Sequence, residues 1–162
     1  MSYLAHTAPS PSGKPEPLEA HLQDVAERAR RFARAFEADD EAWIAGLLHD
    51  FGKFGDLFQR RLQGKERGID HWSSGAWLAL QTYRTQGVAT ALAVQGHHIG
   101  LQQASKDSLS LLNPARLTQG HPLGLRISSP DIDALVERFK DSGLALPDSR
   151  AGAWIETPYS RH

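Results

Sequence analysis

Histidines and one aspartate are the residues of this chain whose types and spacing suit metal binding. They stand in separate segments: a lone histidine, a His-Asp pair, a histidine after an aspartate, and a His-His pair. The six are His21, His49, Asp50, His71, His97 and His98. Neutral imidazoles and ionised carboxylates bind divalent metals at distances of about 2.0–2.2 Å. The pattern therefore predicts a metal centre assembled from several helices.

Asp50 is the predicted bridge between two metals. It is the carboxylate that stands beside a candidate histidine at an inward-facing helix end, and its two oxygens can each face one ion. On a helix, His49 and Asp50 point about 100° apart, so each can serve a different side of one cluster. Two metals roughly 3.5–4 Å apart can clamp the attacking and leaving oxygens of a phosphodiester.

Each histidine also has a purely structural interpretation. His21 falls on the apolar face of a helix, where a hydrogen-bonded core histidine is common, and His71 could simply belong to a helix start. The pair His97-His98 could be coincidental. Three further histidines lie outside the pattern, and we expect them in loops or at the surface: His6, His121 and His162.

Three polar residues near Asp50 are candidates for substrate contact. Lys53 is either a solvated lysine after a helix end or a cation that holds a substrate phosphate. Gln59 and Arg60 form either a solvated helix face or a surface that follows a phosphate backbone. We predict Asp50 and Lys53 as catalytic residues, and Lys53, Gln59 and Arg60 as substrate-binding residues.

Composition narrows the classes that fit this chain. Its 162 residues, 40% hydrophobic and 23% charged, predict one globular domain. The net charge of −1 gives no global basic field, although Arg60, Arg61, Lys65 and Arg67 form a local basic cluster. Because cysteine is absent, disulfides and thiolate zinc sites are excluded. No segment resembles a signal peptide or a membrane span, so we expect a cytoplasmic protein without membrane contact.

Hydrophobic periodicity predicts an all-α fold. The predicted helices are Leu18–Phe36, Glu41–Asp50 capped by Asp39 or Asp40, Asp56–Gln63, a helix capped by Asp70 with His71 in its first turn and ending near Gln86, Val88–His98, and a helix from Pro130 to Gly143 capped by Ser129. Residues 8–17 and those after Pro147 are predicted as loops, with Trp154 and Ile155 beginning a last element. Alternation predicts a short strand or hairpin near residues 121–128.

The motifs resemble the HD-domain superfamily of metal-dependent phosphohydrolases. More narrowly, they are similar to the HD nuclease domain of the CRISPR-associated helicase–nuclease of type I systems. The narrower resemblance covers residues 3–101. It rests on Leu4-Ala5-His6-Thr7, Leu18-Glu19-Ala20-His21-Leu22, Gly46-Leu47-Leu48-His49-Asp50-Phe51-Gly52-Lys53, Phe58-Gln59-Arg60-Arg61-Leu62, Asp70-His71-Trp72-Ser73-Ser74-Gly75-Ala76 and Gly96-His97-His98-Ile99-Gly100-Leu101.

The resemblance implies an HD-domain helical bundle that cleaves single-stranded DNA in CRISPR antiviral defence. In this resemblance the six candidate residues carry over as ligands of two divalent metals. The protein would act as an endonuclease or exonuclease, with a metal-activated hydroxide attacking the phosphodiester. A sulfur-free site suits Mn, Fe, Co, Ni or Zn, with Mg as a further candidate. The implied partners are single-stranded DNA, a CRISPR helicase and an RNA-guided surveillance complex.

The same family supplies one more aspartate from a helix beyond the paired histidines. None of the five aspartates after His98 stands in the matching sequence context. We therefore expect residues 1–162 to be a single HD nuclease domain that lacks its last ligand-bearing helix and its helicase part. Two alternatives remain: an HD-type nucleotide phosphohydrolase, and a catalytically impaired fragment that binds metal.

Overall fold

The computed structural model describes residues 2–7 and 13–148 of the chain. Its elements are β1 Leu4–His6, β2 Glu16–Pro17, α1 Leu18–Ala33, α2 Asp39–Leu48, α3 Asp56–Leu62, β3 Ile69–Asp70, α4 Ser73–Tyr83, α5 Gly87–Ile99, α6 Lys106–Ser110, α7 Pro114–Gln119, β4 Arg126–Ile127 and α8 Ile132–Asp141. Short 3₁₀ turns cover Arg34–Phe36, Phe51–Phe54 and Arg84–Gln86. The all-α prediction is confirmed, because the strands are only two or three residues long. The predicted element at Trp154 and Ile155 lies outside the described residues.

Helices α1 and α2 pack closely and bring the first two site segments together. A Cβ at Gly46 would lie 2.4 Å from the Cα of Ala26, so glycine is what permits this approach. α1 ends before the predicted boundary. Phe32 and Phe36, the two phenylalanines at the end of the predicted helix, are 70% and 67% exposed. Phe32 lies in the last turn of α1, and Phe36 lies in the 3₁₀ turn that follows it.

The end of α2 differs from the prediction in a way that matters for the site. The helix ends at Leu48, and Asp39 and Asp40 lie in its first turn rather than capping it. His49 keeps helical backbone angles, whereas Asp50 (φ −114°, ψ 19°) leads into a 3₁₀ turn that includes Gly52. The N–H of Gly52 donates to the carbonyl of His71 at 3.0 Å. This contact ties the turn to the next site segment.

The β3–α4 junction holds His71 outside any helix, contrary to the predicted first turn. β3 pairs in parallel with β4, Ile69 opposite Arg126 and Asp70 opposite Ile127, so the strand expected within residues 121–128 is confirmed but short. Asp70 belongs to β3, yet its Oδ1 accepts hydrogen bonds from the N–H groups of Trp72 and Ser73, both at 2.9 Å. It thereby satisfies donors at the start of α4.

Two short helices occupy the stretch that the sequence left without assignment. Ser105 caps α6 by accepting from the N–H of Ser108, and Asn113 caps α7 by accepting from the N–H of Ala115. The Asn113-Pro114 pair that reads as a helix breaker is therefore an N-cap followed by proline in the first turn. α8 is capped by Asp131 rather than by Ser129.

The core lies between α1, α2, α4, α5 and α8. Phe51, Phe54 and Phe139 stack edge to face at its centre, with ring centroids 5.8–6.3 Å apart. Phe51 and Phe54 belong to the turn that follows Asp50, so the turn is anchored by two fully buried aromatic rings. Among the described residues, no helix combines the length and apolar character that crossing a membrane requires.

Candidate metal centre

The carboxylate of Asp50 lies at the centre of the candidate site and is 4% exposed. Its Oδ2 lies 3.2 Å from Nε2 of His21 and 3.1 Å from Nε2 of His49. Its Oδ1 lies 3.2 Å from Nε2 of His71 and 3.8 Å from Nε2 of His97. The two oxygens therefore face different sets of imidazoles, which is the arrangement that a bridging carboxylate requires.

The candidate ligands form two groups that share Asp50. We call His21, His49 and Asp50 the first group, and Asp50, His71, His97 and His98 the second group; within each, the ligand atoms lie within 4.8 Å of one another. The structure thus brings all six predicted residues together. They come from α1, the end of α2, the β3–α4 junction and the last turn of α5.

Backbone carbonyls orient two of the imidazole rings. Nδ1 of His49 contacts the carbonyl of Gly46 at 2.7 Å, and Nδ1 of His97 contacts the carbonyl of Val94. A carbonyl accepts only, so the proton of each ring belongs on Nδ1 and the Nε2 lone pair points into the site. Carbonyl or carboxylate partners of this kind are common behind metal-binding histidines.

Nitrogen atoms face one another inside both groups. Nε2 of His21 lies 3.1 Å from Nε2 of His49, and Nε2 of His98 lies 2.8 Å from Nε2 of His71. Lone pairs this close need a proton or a cation between them. The crowding of imidazole nitrogens around one carboxylate therefore fits divalent metal ions, since such ions would neutralise every inward-facing acceptor.

The protonation states also suit metal ligation. Burial raises the pKa of the Asp50 carboxyl, but the facing rings of His21, His49, His71 and His97 outweigh burial and hold that pKa well below its usual range. Burial, with the nearby His97 and His71, lowers the pKa of His98 to about 4. At neutral pH, Asp50 is thus ionised and His98 is uncharged, as a metal requires of its ligands.

Lys53 is buried, which removes the interpretation of it as a solvated lysine. Its side chain is 5% exposed, and its ammonium lies 2.7 Å from Oδ2 of Asp50 and 3.1 Å from the carbonyl of Ala5. The ring of Phe58 lies 5.2 Å from the same ammonium. Lys53 therefore supplies a positive charge directly beside the shared carboxylate, while its contact with a substrate phosphate stays a prediction.

Gln59 and Arg60 make contacts within the protein. The Gln59 amide donates to the carbonyls of Leu4 and Lys53 and accepts from the N–H of Leu4, so it fastens β1 to the turn after Asp50. Arg60 is exposed and forms an ion pair with Glu66 at 2.7 Å. Substrate binding by either side chain stays a prediction.

Two residues beside His21 were not predicted as part of the site. Oε2 of Glu16 lies 3.4 Å from Nδ1 of His21, and His6 joins the same cluster with its ring centroid 5.1 Å from that of His21. His6, expected outside the pattern, is thus half-exposed at the edge of the site. The pairing of β1 with β2 places both residues there, and no local sequence pattern signals it.

His121 lies in the loop between α7 and β4, which agrees with its prediction as a surface or loop histidine, but its side chain is buried. Its side chain is 4% exposed, and its Nε2 lies 2.8 Å from Oδ2 of Asp70. Its Nδ1 accepts from the N–H of Leu123, so the proton on Nε2 donates to Asp70. His162 lies outside the described residues. The five aspartates after His98 are all described, and none belongs to either group.

Comparison of the sequence with known protein families gives a match. The sequence model of the HD domain matches residues 18–135, a span that contains all six candidate ligands. No curated protein and no solved structure matches the chain. HD domains bind divalent metals, and the His/Asp cluster described above could hold them. The matched span covers well over half of the sequence, and the chain belongs to the HD domain family of metal-dependent phosphohydrolases.

Proposed function

We propose that this protein is a metal-dependent phosphodiesterase domain that cleaves single-stranded DNA in CRISPR antiviral defence. The observation that carries the proposal is the Asp50 carboxylate, whose two oxygens face two separate sets of imidazoles. Two closely spaced metals are the usual means of stabilising both oxygens of an in-line displacement at phosphorus. The motifs shared with the nuclease domain of CRISPR helicase–nucleases support the choice of DNA.

Each group would hold one ion. His21, His49 and Asp50 would bind the first, and Asp50, His71, His97 and His98 the second; the ions supply Lewis acidity and lower the pKa of water. Asp50 would hold the ions at a fixed separation, and Lys53 would offset the negative charge of Asp50. Imidazole-rich, sulfur-free donors favour Mn, Fe, Co, Ni or Zn, with Mg also a candidate.

The surroundings of the site support a polyanionic substrate. His97 and His98 are exposed while Asp50 is buried, so a phosphodiester would reach the site from the α5 side. Arg60, Arg61, Lys65 and Arg67 are exposed after the turn and could contact a phosphate backbone. A helicase and an RNA-guided surveillance complex are the partners that we propose would deliver the strand.

Circular single-stranded DNA tests the proposal, because it has no ends and reports internal cleavage directly. The protein, loaded with Mn²⁺, Ni²⁺ or Co²⁺, is expected to linearise and degrade the circle, and the Asp50→Ala variant is not. EDTA should stop the reaction. Intact circles and intact linear single strands in the presence of protein that carries two ions would contradict the nuclease assignment.

The same preparation separates the alternatives. Phosphate release from nucleotides or opening of cyclic nucleotides, without DNA cleavage, would assign the chain to nucleotide phosphohydrolases instead. One bound ion or none, with no turnover of any phosphoester, would identify a metal-binding fragment. Metal content by elemental analysis and a nucleotide panel together decide between these outcomes.

A further inference from the structure

A cavity of about 180 Å³ lies beside the second group. Its walls come from the start of α4, the end of α5 and the segment from Gln102 to Leu123, and they are mainly apolar: Leu111, Leu112, Leu117, Pro122 and Leu123 with the ring of Trp72. An apolar cavity of about 150 Å³ holds a benzene ring. A cavity of this size and lining therefore suits one planar ring system.

The cavity adjoins the candidate metal ligands through one side chain. Trp72 lines the cavity, and its ring centroid lies 4.6 Å from that of His98 and 5.3 Å from that of His71. On α5, the lining residues Gln95 and Ile99 lie on either side of His98 in the sequence. A ring stacked on Trp72 inside the cavity would thus have the Trp72 indole between itself and the imidazole of His98.

Amide groups give the cavity a polar edge. Gln95 lines it, and within the described part of the chain its side-chain amide has no hydrogen-bond partner. Gln102 donates its amide N–H groups to the carbonyls of Ile99 and Gly100, which leaves its carbonyl oxygen as an acceptor. An amide offers a donor and an acceptor in one plane, which is the pattern that the edge of a nucleobase complements.

We propose that this cavity binds a nucleobase, the one attached to the phosphate held at the metal centre. The base would lie against Trp72 and the leucines and hydrogen-bond to Gln95. The sugar would lie beside His98 and connect the base to the phosphate at the metal centre. The inference rests on the proposed phosphodiesterase function for its orientation. The residues that line the cavity would bind the base, and none of them is among the candidate metal ligands. A free nucleotide or a single strand could present the base.

A pair of phosphodiester substrates tests the proposal with the Mn²⁺-loaded protein. One is the 4-nitrophenyl ester of thymidine 5′-monophosphate, which has a base; the other is bis(4-nitrophenyl) phosphate, which has none. Two variants alter the cavity: Gln95→Leu removes the amide, and Leu123→Trp fills the mouth from a half-exposed position. The matched controls are Gln81→Leu, on an exposed position of α4, and Leu101→Trp, which is 89% exposed and outside the lining.

The measured quantity is kcat/KM for the thymidine ester divided by kcat/KM for bis(4-nitrophenyl) phosphate. Both cavity variants are expected to lower this ratio about five- to tenfold, because base contacts are lost only from the base-bearing ester. The controls should leave the ratio at the wild-type value. An unchanged ratio in both cavity variants would overturn the proposal.

A binding measurement keeps the cavity separate from the chemistry. Deoxyadenosine has no phosphate, so its binding to the metal-free protein, followed by NMR at the Trp72 indole and the Gln95 amide, does not depend on turnover. Binding that is lost in Leu123→Trp supports the cavity even if neither ester is hydrolysed, an outcome that would count against the proposed function alone. Absence of binding to the wild type would overturn the cavity proposal.

Two further ligands identify the source of the base. Deoxyadenosine monophosphate and a five-nucleotide deoxyadenosine strand are titrated into the Mn²⁺-loaded protein. Tighter binding of the strand, weakened in Leu123→Trp, assigns the cavity to polynucleotides. Binding of the monophosphate with exclusion of the strand assigns it to free nucleotides.

Discussion

At the scale of single residues, Asp50 and Lys53 form a buried ion pair inside a ring of imidazoles. Both side chains are about 5% exposed, and the ammonium lies 2.7 Å from Oδ2. A buried charge whose partner is removed costs far more than the intact pair contributes, because nothing replaces its lost hydration. Lys53 therefore has a structural role beside any catalytic one, and variants can separate the two.

Asp50→Asn, made alone and together with Lys53→Met, separates stability from metal binding. Asp50→Asn leaves the Lys53 ammonium buried without a counter-charge, so we expect a loss of about 3–5 kcal/mol in the free energy of unfolding of the metal-free protein. Adding Lys53→Met should restore most of that stability. Neither the single nor the double variant should bind two metals. Urea denaturation in EDTA and elemental analysis measure both effects, and a double variant no more stable than Asp50→Asn would contradict the pairing.

Glu16 is expected to act as a positioning residue through His21. Its carboxylate lies 3.4 Å from Nδ1 of His21, where it would favour the tautomer with a free Nε2. We expect Glu16→Gln to weaken Mn²⁺ binding about 10- to 100-fold with little change in stability. Titration calorimetry measures the affinity. Glu27→Gln, at an exposed position of α1, is the matched control, and equal affinities in the two variants would rule out this role.

At the scale of elements, glycines let the segments that carry the ligands approach one another. A Cβ at Gly46 would meet Ala26 at 2.4 Å, one at Gly52 would meet the carbonyl oxygen of His71 at 2.5 Å, and one at Gly75 would meet the carbonyl oxygen of Leu48 at 2.0 Å. Each contact joins two segments that contribute to the site. The spacing of the imidazoles therefore depends on backbone approach as much as on the histidines.

Gly46→Ala tests this dependence. The added methyl group must push α1 away from α2, so we expect a destabilisation of about 1–3 kcal/mol and weaker Mn²⁺ binding. Gly96→Ala in α5 serves as the stability control, because its Cβ would meet nothing nearer than 3.8 Å and alanine favours the helix by up to about 1 kcal/mol. Urea denaturation gives both values. Equal stabilities for the two variants would show that α1 and α2 can separate without cost.

Tyr83 fastens the segment after α8 to the end of α4. Its hydroxyl donates to the carbonyl of Pro147 at 2.8 Å, and burial, with the charge of Asp148, raises the pKa of Tyr83 to about 12. The unfolded pKa is about 10. The raised pKa therefore adds stability that is complete below pH 10 and is lost as the pH rises to about 12.

We expect Tyr83→Phe to cost about 1 kcal/mol at neutral pH, since one hydrogen bond is lost. The variant should also lose less stability than the wild type between pH 10 and pH 12. Chemical denaturation at a series of pH values measures both effects, with Tyr3→Phe as the control. Parallel curves for wild type and Tyr83→Phe would contradict the assignment.

At the scale of the whole molecule, the candidate ligands join four separate parts of the chain. His21, Asp50, His71 and His97 are far apart in sequence and meet only in the folded protein. Ions that bind this arrangement and not the unfolded chain stabilise it by mass action, by about 2.7 kcal/mol for one site when the free ion is at 100 times its Kd. Metal binding and folding should therefore be coupled.

Metal removal tests that coupling. We expect Mn²⁺ to raise the midpoint of thermal unfolding by several degrees, and EDTA to reverse the change. The Asp50→Asn variant should show no such response, because it loses the carboxylate common to both groups. Calorimetry at several metal concentrations measures the effect. A midpoint that is independent of metal in the wild type would show that the groups do not bind the ion in the folded state.

The sequence by itself indicated most of the longer helices and the six residues that meet around Asp50, because hydrophobic period and residue type are local properties. It also indicated the strand near Ile127, although not its two-residue length. At Asn113-Pro114 the sequence leaves two interpretations open, because an N-cap followed by proline and a helix breaker have the same letters, and only the hydrogen bonds of the following turn distinguish them.

Tertiary packing alone decided what surrounds those six residues. His121 reaches Asp70 across 51 positions, Glu16 reaches His21 through the β1–β2 pairing, and the cavity joins α4, α5 and the segment after them. These contacts follow from the pairing of short strands and from where turns redirect the chain. Neither is a periodic property of the sequence, so the six candidate residues were predictable while their supports and the neighbouring cavity were not.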